Sequence, residues 1–256
     1  MNYRDTFLLK NKIAVVTGGA GLIGKEIVKG LLDFGAEVYI ADVSKNIYED
    51  HISSNTHNIH LDITSARSVH NGIKKIIELS KKIDILINCA YPRTQDWGEK
   101  FENISFESWK ENVNDHLGGY FLCCQKSADQ MKLQQNGSII NLASIYGVVA
   151  PDFSVYKNTD MTMPAAYSAI KGGIITFTKY LATYFGKYNI RANVVSPGGI
   201  FDNQSPSFIE KYCQKTPLGK MATPQDVVGA IIFLASDASS YVTGQNIIID
   251  GGWTAW

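Results

Sequence analysis

Residues 13–34 of the chain read IAVVTGGAGLIGKEIVKGLLDF. A run of mostly β-branched apolar residues leads into a turn that holds Gly18, Gly21 and Gly24, and a segment with apolar residues at helical spacing follows. A glycine-rich turn between a strand and a helix lets backbone N–H groups approach a phosphate, because the helix N-terminus carries free donors and a partial positive charge. The segment therefore predicts the opening strand and helix of an α/β fold with a phosphate-binding turn.

The remainder of the chain continues this alternation of short apolar strands and longer helical patterns. Strands that are apolar along their whole length belong to a parallel sheet that helices cover on both faces. We therefore predict one α/β domain over residues 1–256, with a Rossmann-type, doubly wound parallel sheet of about seven strands. The predicted strands are 13–17, 37–42, 58–62, 83–88, 138–144, 190–196 and 246–250, and the predicted helices are 22–34, 65–80, 105–134, 165–187 and 224–236.

Two segments, at about 145–164 and 198–223, lack a clear period. Each follows the carboxyl end of a predicted strand, which is the edge of an open α/β sheet where ligands bind. Long loops at that edge are more often functional than accidental. We expect both segments to contact a substrate.

Composition excludes several classes of function. The chain has 256 residues, with 24 Lys and Arg against 24 Asp and Glu, so its formal net charge is zero. Without a basic block, neither nucleic acid nor a membrane surface is an expected partner, and no apolar run reaches the roughly 20 residues that span a bilayer. The four cysteines form no CxxC pair, which favours a reducing, cytoplasmic location. His57 and His60 have no evident third ligand, so we predict no metal site.

The glycines of the turn have separate expected roles. Gly18 would allow the tight turn, Gly21 the close approach of the backbone to a pyrophosphate, and Gly24 the close packing of helix against strand. Together they predict that the phosphate-bearing ligand is a dinucleotide.

Acidic residues end the second and third predicted strands. A carboxylate at Asp42 can accept hydrogen bonds from both ribose hydroxyls and would repel a 2′-phosphate. Val43 follows, where an enzyme that binds the 2′-phosphate would more often place arginine. We therefore predict NAD(H) rather than NADP(H), with Asp62 near the adenine edge or, alternatively, serving only as a turn residue.

Residues 167–171 read YSAIK, at the start of a predicted helix. Tyr167 and Lys171 are four apart and share one face of that helix. A tyrosine with an ordinary pKa near 10 is a poor base at neutral pH, but an ammonium group and a positive nicotinamide ring nearby would lower that pKa. Tyr167 could then exchange a proton with an alcohol or carbonyl while hydride moves to or from the nicotinamide.

These features resemble the short-chain dehydrogenase/reductase superfamily over nearly the whole chain. A glycine turn or a YxxxK pair alone would be weak evidence, but the motifs are highly specific jointly. They are the glycine turn, NCA (88–90), INLASIYG (140–147), YSAIK (167–171), SPGG (196–199) and GQNIIIDGG (244–252).

The resemblance implies roles for individual residues. Ser144 would orient the substrate oxygen, Tyr167 would be the general acid/base, and Lys171 would bind the nicotinamide ribose. Asn88 would support the cofactor. The full set expected around the cofactor is Gly18, Gly21, Leu22, Ile23, Asp42, Asp62, Ile63, Asn88, Ala90, Tyr167, Lys171, Pro197, Gly198 and Ile200.

The chain departs from the superfamily's usual pattern in its glycine spacing. The compact, single-domain branch usually carries TGxxxGxG, whereas this chain has Leu22 at the middle glycine and the TGxxGxxG spacing of the extended, epimerase-like branch. Extended members carry a separate C-terminal substrate domain, and this chain ends soon after its last predicted strand. We therefore assign it to the compact branch, and expect Gly21 to make the close approach while Leu22 turns into the core.

Two further departures concern the catalytic set. His116 occupies the place where the superfamily usually has an asparagine that helps to hold a water in a proton relay to the lysine. Either His116 replaces that asparagine or the helix is locally bulged, since nearby Asn114 would face another way on an ideal helix. The usual serine–tyrosine interval, counted back from Tyr167, ends at Ser154, but we choose Ser144 because it ends the strand SIINLAS.

We expect Arg93, Tyr146 and Tyr156 to contact the substrate. Arg93 follows a predicted strand end and could bind a carboxylate or phosphate, or it could be a solvated surface residue. The aromatic and polar side chains of 145–164 suit a hydroxyl-rich ligand such as a sugar, although a subunit contact is the alternative. Some similar bacterial relatives take part in the synthesis of sugars that modify flagellin or surface glycans.

The sequence thus predicts an NAD(H)-dependent oxidoreductase that interconverts a secondary alcohol and a ketone. Two alternatives stay open: an NAD-dependent sugar-nucleotide epimerase or dehydratase, favoured by the glycine spacing, and a non-catalytic NAD-binding regulatory protein, left open by the change at His116. The resemblance also implies a homotetramer or homodimer with the helices 105–134 and 165–187 at the interface.

Overall fold

A parallel sheet forms the centre of the computed structural model, which describes residues 2–44 and 54–256. Its strands are β1 (Ile13–Thr17), β2 (Glu37–Asp42), β3 (Thr56–His60), β4 (Ile85–Asn88), β5 (Gly137–Leu142), β6 (Ile190–Pro197) and β7 (Asn246–Ile249). Within the described residues the sheet has seven strands in the order β3-β2-β1-β4-β5-β6-β7, and each neighbouring pair is parallel. The inner strands β1, β4 and β5 are buried along their whole length, as a sheet covered on both faces requires.

Helices cover both faces of this sheet. They are α1 (Leu22–Asp33), α2 (Ala66–Ser80), α3 (Phe106–Val113), α4 (Gly119–Gln134), α5 (Ala165–Phe185), α6 (Pro206–Lys215) and α7 (Val228–Ala235). Successive strand residues point to opposite faces, so Val15 packs with α2, α4 and α5 while Val16 packs with α1 and α7. This arrangement confirms the predicted Rossmann-type, doubly wound fold.

The topology creates a crevice at the centre of the sheet. β1 pairs with β2 on one side and with β4 on the other, so the chain winds away from this point in opposite directions. Doubly wound sheets bind ligands at this switch point, outside the carboxyl ends of the strands. Thr17, Asp42 and Asn88 end their strands at this edge.

Residues 105–134, predicted as one helix, form three segments. α3 ends at Val113, Asn114–Gly118 form a π-helical turn, and α4 begins at Gly119. Buried residues continue at intervals of four across this turn, so the spacing of side chains does not reveal it. They are Ser108, Asn112, His116, Tyr120 and Cys124.

Segment 198–223, predicted to be aperiodic, contains α6. The Ser205 side chain accepts a hydrogen bond from the N–H of Phe208 at 3.4 Å, and Pro206 is the first residue of the helix. The buried residues of α6 are Phe208 and Tyr212, a pattern too short to show a helical period.

Most other elements agree with the predicted bounds to within two residues at each end. The third strand is Thr56–His60 rather than 58–62, so Asp62 lies beyond the strand rather than at its last position. The last helix begins at Val228, after a 3₁₀ turn at Pro224–Val227. No helix within residues 2–44 and 54–256 combines the length and the apolarity that crossing a membrane needs.

The two long segments pack against each other beside the cleft. Their apolar side chains and that of Trp253, which follows β7, form a separate buried cluster. The members from the two segments are Ile145, Tyr146, Val155, Tyr156, Phe208, Tyr212 and Met221. Outside this cluster, Asp152 forms an ion pair with Lys215, and Lys211 donates a hydrogen bond to the carbonyl of Lys157. The insertion after β5 and helix α6 are therefore joined by apolar packing and by polar contacts.

Candidate active site

A cleft of about 750 Å³ opens along the carboxyl ends of the central strands. The glycine turn and the ends of β2 and β3 bound one half, and the turn after β5, the start of α5 and the two long segments bound the other. Of the residues predicted for the site, those that line the cleft are Gly18, Gly21, Leu22, Ile23, Asp42, Asp62, Ile63, Ala90, Arg93, Ser144, Tyr146, Tyr156, Tyr167, Lys171, Pro197, Gly198 and Ile200. Asn88 and His116 lie beneath its surface, each with no exposed area.

The three glycines of the turn differ in what their surroundings require. Gly18 has φ +68°, and a Cβ there would lie 2.5 Å from Cα of Ala90. A Cβ on Gly24 would lie 2.1 Å from the carbonyl oxygen of Gly18, so a side chain at 24 would push α1 away from the turn. A Cβ on Gly21 would meet only that same oxygen, at 3.2 Å. Gly21 is thus the glycine whose side-chain position is the most open.

The expectation that Leu22 turns into the core is wrong. Leu22 is 43% exposed and lines the cleft, whereas Ile23 packs against the core beneath α1. Leu22 is the first residue of the helix after Gly21, and side chains in a helix lean toward its N-terminus. The side chain of this first residue therefore lies at the turn and not over the sheet.

The donor set at this end fits a dinucleotide. α1 begins at Leu22, and the residue before it, Gly21, provides no side-chain cap, which leaves the first N–H groups of the helix available to a pyrophosphate. The carboxylate of Asp42 accepts hydrogen bonds from the N–H groups of Ala20 at 3.0 Å and Ser44 at 2.9 Å, and these hold it at the mouth of the cleft. Among the described residues, no group of three or more His, Cys, Asp or Glu side chains could hold a metal ion.

Asp62 lines the cleft from the loop after β3. Its Oδ1 accepts hydrogen bonds from the N–H and the hydroxyl of Thr64, at 2.9 and 2.8 Å, and its own N–H donates to Ser68 Oγ at 3.0 Å. These bonds fix the loop in the form of a turn. Both the adenine-edge role and the turn role therefore remain compatible with its position.

Ser144, Tyr167 and Lys171 meet at the other end of the cleft. A hydrogen bond with Ser144 lowers the pKa of Tyr167, but burial raises it by more, so the net shift is upward. Lys171 Nζ donates to the carbonyl oxygen of Leu142 at 2.9 Å, and burial lowers the pKa of Lys171 to about 7. The lowered pKa expected for Tyr167 is thus not a property of the protein alone.

Gly147 holds the turn that carries Ser144 against α5. A Cβ on Gly147 would lie 2.6 Å from the carbonyl carbon of Lys171 and 2.8 Å from the nitrogen of Gly172. This contact places Ser144 beside Tyr167 directly, whatever the number of residues between them. Ser154, the residue reached by counting back the usual interval, is exposed and lies outside the cleft.

Beneath the cleft, His116 comes from the π-helical turn. Its Nε2 lies 3.3 Å from Lys171 Nζ, and no residue in 2–44 or 54–256 forms a hydrogen bond with its Nδ1. Asn114 is exposed and donates to Asp115 Oδ1. The helix is therefore locally bulged, which was one of the two alternatives. The residue that reaches the lysine is nevertheless His116 and not Asn114, as the other alternative expected.

Asn88 does not reach the cleft, contrary to its place in the predicted cofactor set. Its Oδ1 accepts from Thr17 Oγ1 at 3.2 Å, and its Nδ2 donates to Asn141 Oδ1 at 2.9 Å and to Cys124 Sγ at 3.3 Å. These bonds tie β1, β4, β5 and α4 together under the cofactor half. Hydrogen bonds with these buried partners hold the Asn88 side chain beneath the cleft.

On the substrate side, the hydroxyls of Tyr146 and Tyr156 lie 3.5 Å apart. Arg93 extends over the ring of Tyr91 at 5.5 Å from its centre, and the Tyr91 hydroxyl accepts a hydrogen bond from Trp97 Nε1 at 2.8 Å. These residues offer hydroxyl, guanidinium and aromatic surfaces to a ligand.

Tyr120 also lines the cleft, from α4, and was not predicted. It lies four residues after His116, and that spacing places both residues on one helix face. The spacing was therefore a signal that could have identified it.

Comparison with known proteins agrees with this geometry. A family model described as enoyl-(acyl carrier protein) reductase matches residues 18–254. The chain is 39% identical over 254 residues to the post-translational flagellin modification protein A of Campylobacter coli, which covers 96% of this chain and 99% of that protein.

Two solved structures are similar as well. The short chain dehydrogenase from Leptospira borgpetersenii with bound NAD⁺ is 41% identical with a TM-score of 0.90, covering 99% of this chain and 96% of that chain. The gluconate 5-dehydrogenase from Burkholderia cenocepacia, in complex with NADP and tartrate, is 26% identical with a TM-score of 0.88, covering 100% of both chains. The chain therefore belongs to the short-chain dehydrogenase/reductase superfamily and is an NAD(P)-dependent oxidoreductase that acts on CH–OH groups.

Proposed function

We propose that the protein is an NAD(H)-dependent oxidoreductase that interconverts a secondary alcohol and a ketone on a sugar or sugar derivative. The observation that carries the proposal is the meeting of Ser144, Tyr167 and Lys171 at one end of a cleft whose other end is the uncapped N-terminus of α1. Bound NAD(H) would accept or supply the hydride there. The chain's own residues orient the substrate and move the proton.

Tyr167 is the group that exchanges the proton. Because burial raises its pKa, Tyr167 keeps its hydroxyl proton at neutral pH and can donate it to the oxygen of a ketone as the C–H bond forms. In the reverse direction the phenolate accepts the alcohol proton, and Lys171 in its protonated form favours that phenolate. The Ser144 hydroxyl accepts a hydrogen bond from the N–H of Tyr146 at 3.2 Å, and its single proton would be donated to the same substrate oxygen, where it stabilises the developing charge.

Asp42 supports a preference for NAD(H) over NADP(H). Its carboxylate is held at the cleft mouth by two backbone N–H groups, and it would repel a 2′-phosphate. Val43, which is 58% exposed, offers no cation in its place. The similar structures named above hold NAD⁺ in one case and NADP in the other, so the argument rests on this chain's own residues.

The substrate half of the cleft supports a hydroxyl-rich ligand. Tyr146 and Tyr156 are each less than a tenth exposed, and their hydroxyls share one long contact of 3.5 Å. A hydroxyl group can donate one hydrogen bond and accept two, so the pair has unused capacity toward the cleft. Arg93, which lines the same half, could bind a carboxylate or a phosphate on such a ligand.

The test is an activity and binding screen of the intact protein. NADH and NADPH oxidation, and NAD⁺ reduction, are followed with a panel of sugars, sugar acids, sugar phosphates and nucleotide sugars. We expect net turnover of NADH with at least one hydroxyl-rich compound and much weaker turnover of NADPH. Product formation without net NADH consumption would instead indicate an epimerase or dehydratase that recycles its cofactor.

We propose further that the protein assembles as a homotetramer or homodimer in the cytoplasm. Exposed aromatic side chains on α4 and α5 support the assembly: Phe121 lies over the partly buried Phe177, and Tyr180 stacks on Tyr184. The four cysteines are free thiols, which supports a reducing compartment. Light scattering after size-exclusion chromatography would measure the assembly, and a Tyr180→Lys variant should reduce its mass.

A further inference from the structure

Lys171 is a buried ammonium group whose hydrogen-bond partners are neutral. Its side chain is 5% exposed, and no carboxylate within the described part of the chain forms an ion pair with it. Nζ donates to the carbonyl oxygen of Leu142 at 2.9 Å and lies 3.3 Å from Nε2 of His116. An ammonium group has three donors, so these contacts leave one donor for the cleft.

His116 can accept a hydrogen bond from Lys171 Nζ at its Nε2 only as a neutral imidazole. It has no exposed area, and an imidazolium would place a second positive charge 3.3 Å from Nζ inside the protein. Burial, and then the charge of Lys171, lower the pKa of His116 well below its ordinary value. The ring proton therefore lies on Nδ1, and the lone pair of Nε2 faces the ammonium group.

The π-helical turn and two aromatic neighbours hold the His116 ring beside Lys171. The Asn114–Gly118 π-helical turn carries His116, and its ring lies edge-on to Tyr91 at 5.4 Å and to Tyr120 at 5.2 Å. Its Nδ1 makes no hydrogen bond to any residue that the structure describes. Within the described residues, the contact between Nε2 and Lys171 is therefore the ring's one hydrogen bond.

We propose that His116 is a positioning residue whose Nε2 accepts a hydrogen bond from Lys171 and, together with the Leu142 carbonyl, aims the remaining ammonium donor into the cleft. The arrangement differs from a water-mediated relay through an asparagine, because the imidazole contacts the lysine directly and its far nitrogen is enclosed. The consequence for catalysis rests on the proposed function, whereas the hydrogen bond is a property of the protein alone.

The first test needs neither cofactor nor substrate. Nitrogen-15 NMR of the histidine-labelled protein, with the exposed His70→Gln as a control for assignment, reports which ring nitrogen of His116 carries the proton. We expect the Nδ1–H form, with no protonation of the second ring nitrogen, from about pH 5.5 to about pH 9, because a ring with the ordinary pKa of about 6.5 would become an imidazolium in that range. An Nε2–H form, or protonation of both ring nitrogens near pH 6.5, would overturn the proposal.

The second test follows Lys171 itself through carbon-13 labelled lysine, assigned with Lys171→Met. His116→Leu removes the acceptor and should lower the pKa of Lys171 by about one unit, a tenfold loss of proton affinity. His116→Gln places an amide oxygen near the position of Nε2 and should restore most of that shift. Equal titration of Lys171 in the Leu variant and the wild type would contradict the proposal. If the Leu variant does not fold, the Gln variant and the tautomer of the wild type still decide it.

Other titratable groups face this pair. Cys89, Tyr91, Tyr120 and Tyr167 surround Lys171, and burial raises the pKa of each, so they remain neutral where Lys171 titrates. Once a substrate is found, the alkaline limb of ketone reduction should move to lower pH in His116→Leu by the same amount as the pKa of Lys171. If no substrate is found, the two NMR tests still stand, so failure of the proposed function is distinguishable from failure of this one.

Discussion

Asp152 and Lys215 form an ion pair between the insertion after β5 and helix α6. Behind the pair, the rings of Tyr156 and Phe208 lie 5.3 Å apart. The two segments follow different strands of the sheet, and both line the substrate half of the cleft. The substrate half is therefore closed by one joined unit rather than by two independent loops.

Breaking this ion pair should affect substrate binding more than stability. Both side chains are more than a third exposed, so Asp152→Asn should cost only about 0.5 kcal/mol of unfolding free energy. Lys215, and then Ser154, lower the pKa of Asp152 to about 2, so the stabilisation exists above the unfolded value of about 3.9 and is lost as pH falls toward 2. Steady-state kinetics at pH 7 should show KM raised about threefold, or about 0.6 kcal/mol, with a smaller change in kcat. Asp160→Asn, an exposed acid of the same insertion, is the control, and an equal rise in KM in both variants would contradict the joined unit.

Substitution of Ser144 should reduce kcat/KM strongly, and substitution of Ser154 should not. Ser144→Ala removes a donor to the substrate oxygen and should reduce kcat/KM by about 10²-fold, and Tyr167→Phe should reduce it by about 10³-fold. Ser154→Ala keeps the backbone N–H that donates to Asp152 and should leave kcat/KM within about twofold. NADH affinity, measured by fluorescence, should be retained in the Ser144→Ala variant. A large loss for Ser154→Ala alone would show that the assignment of the serine is wrong.

Cofactor preference should reverse at the mouth of the cleft. The double variant Asp42→Ser, Val43→Arg removes the carboxylate and adds a cation at an exposed position. We expect the Kd for NADH to rise and the Kd for NADPH to fall, each by about tenfold, or about 1.4 kcal/mol. Val43→Arg alone is the control for added charge. If wild-type protein binds NADPH more tightly than NADH, the proposed preference fails before any variant is made.

Lys171 should make the stability of the cofactor-free protein depend on pH. Its folded pKa is lowered to about 7, against about 10.4 in the unfolded chain. Between these values the unfolded chain binds the extra proton, so stability rises with pH, by up to about 1.4 kcal/mol per unit. Urea unfolding at pH 7, 8 and 9 should show this rise in the wild type and not in Lys171→Met. Parallel curves for the two proteins would mean that Lys171 has an ordinary pKa.

Gly24 and Gly21 should differ in what an added methyl group disturbs. Gly24→Ala would place Cβ 2.1 Å from a backbone oxygen and should cost about 3 kcal/mol of unfolding free energy. Gly21→Ala meets the same oxygen at 3.2 Å and should cost less than about 1 kcal/mol, while weakening NADH binding about tenfold, or about 1.4 kcal/mol. Thermal unfolding and NADH titration of both variants measure the two effects. The opposite pattern would assign the close approach to Gly24.

Much of the fold could be predicted from the sequence because its signals are local and repeated. Apolar strands, helical spacing and the glycine turn each report burial on a particular face, and a parallel α/β sheet follows from their alternation. Because the strands could be located, the side chains at their carboxyl ends could also be expected to meet at the cleft. Asn88 is the exception among them, since its buried polar partners come from three other elements.

The remaining differences have physical causes that one segment of sequence does not display. The π-helical turn at His116 lies within an unbroken four-residue spacing of buried positions, which hides it. The direction of Leu22 depends on its being the first residue of α1. The upward shift in the pKa of Tyr167 depends on burial by the assembled cleft. α6 did carry a local signal, because Ser205 and Pro206 are typical of a helix start.

The contact of Gly147 with the backbone of Lys171 has a consequence for how this enzyme can diversify. Ser144 and Tyr167 are held together by that contact, so the stretch between Val148 and Pro164 begins and ends at anchored points. Its length and composition can then change without moving the reacting groups. Replacing this stretch with a different segment that still packs against α6 should change which compound binds, while the chemical step stays the same.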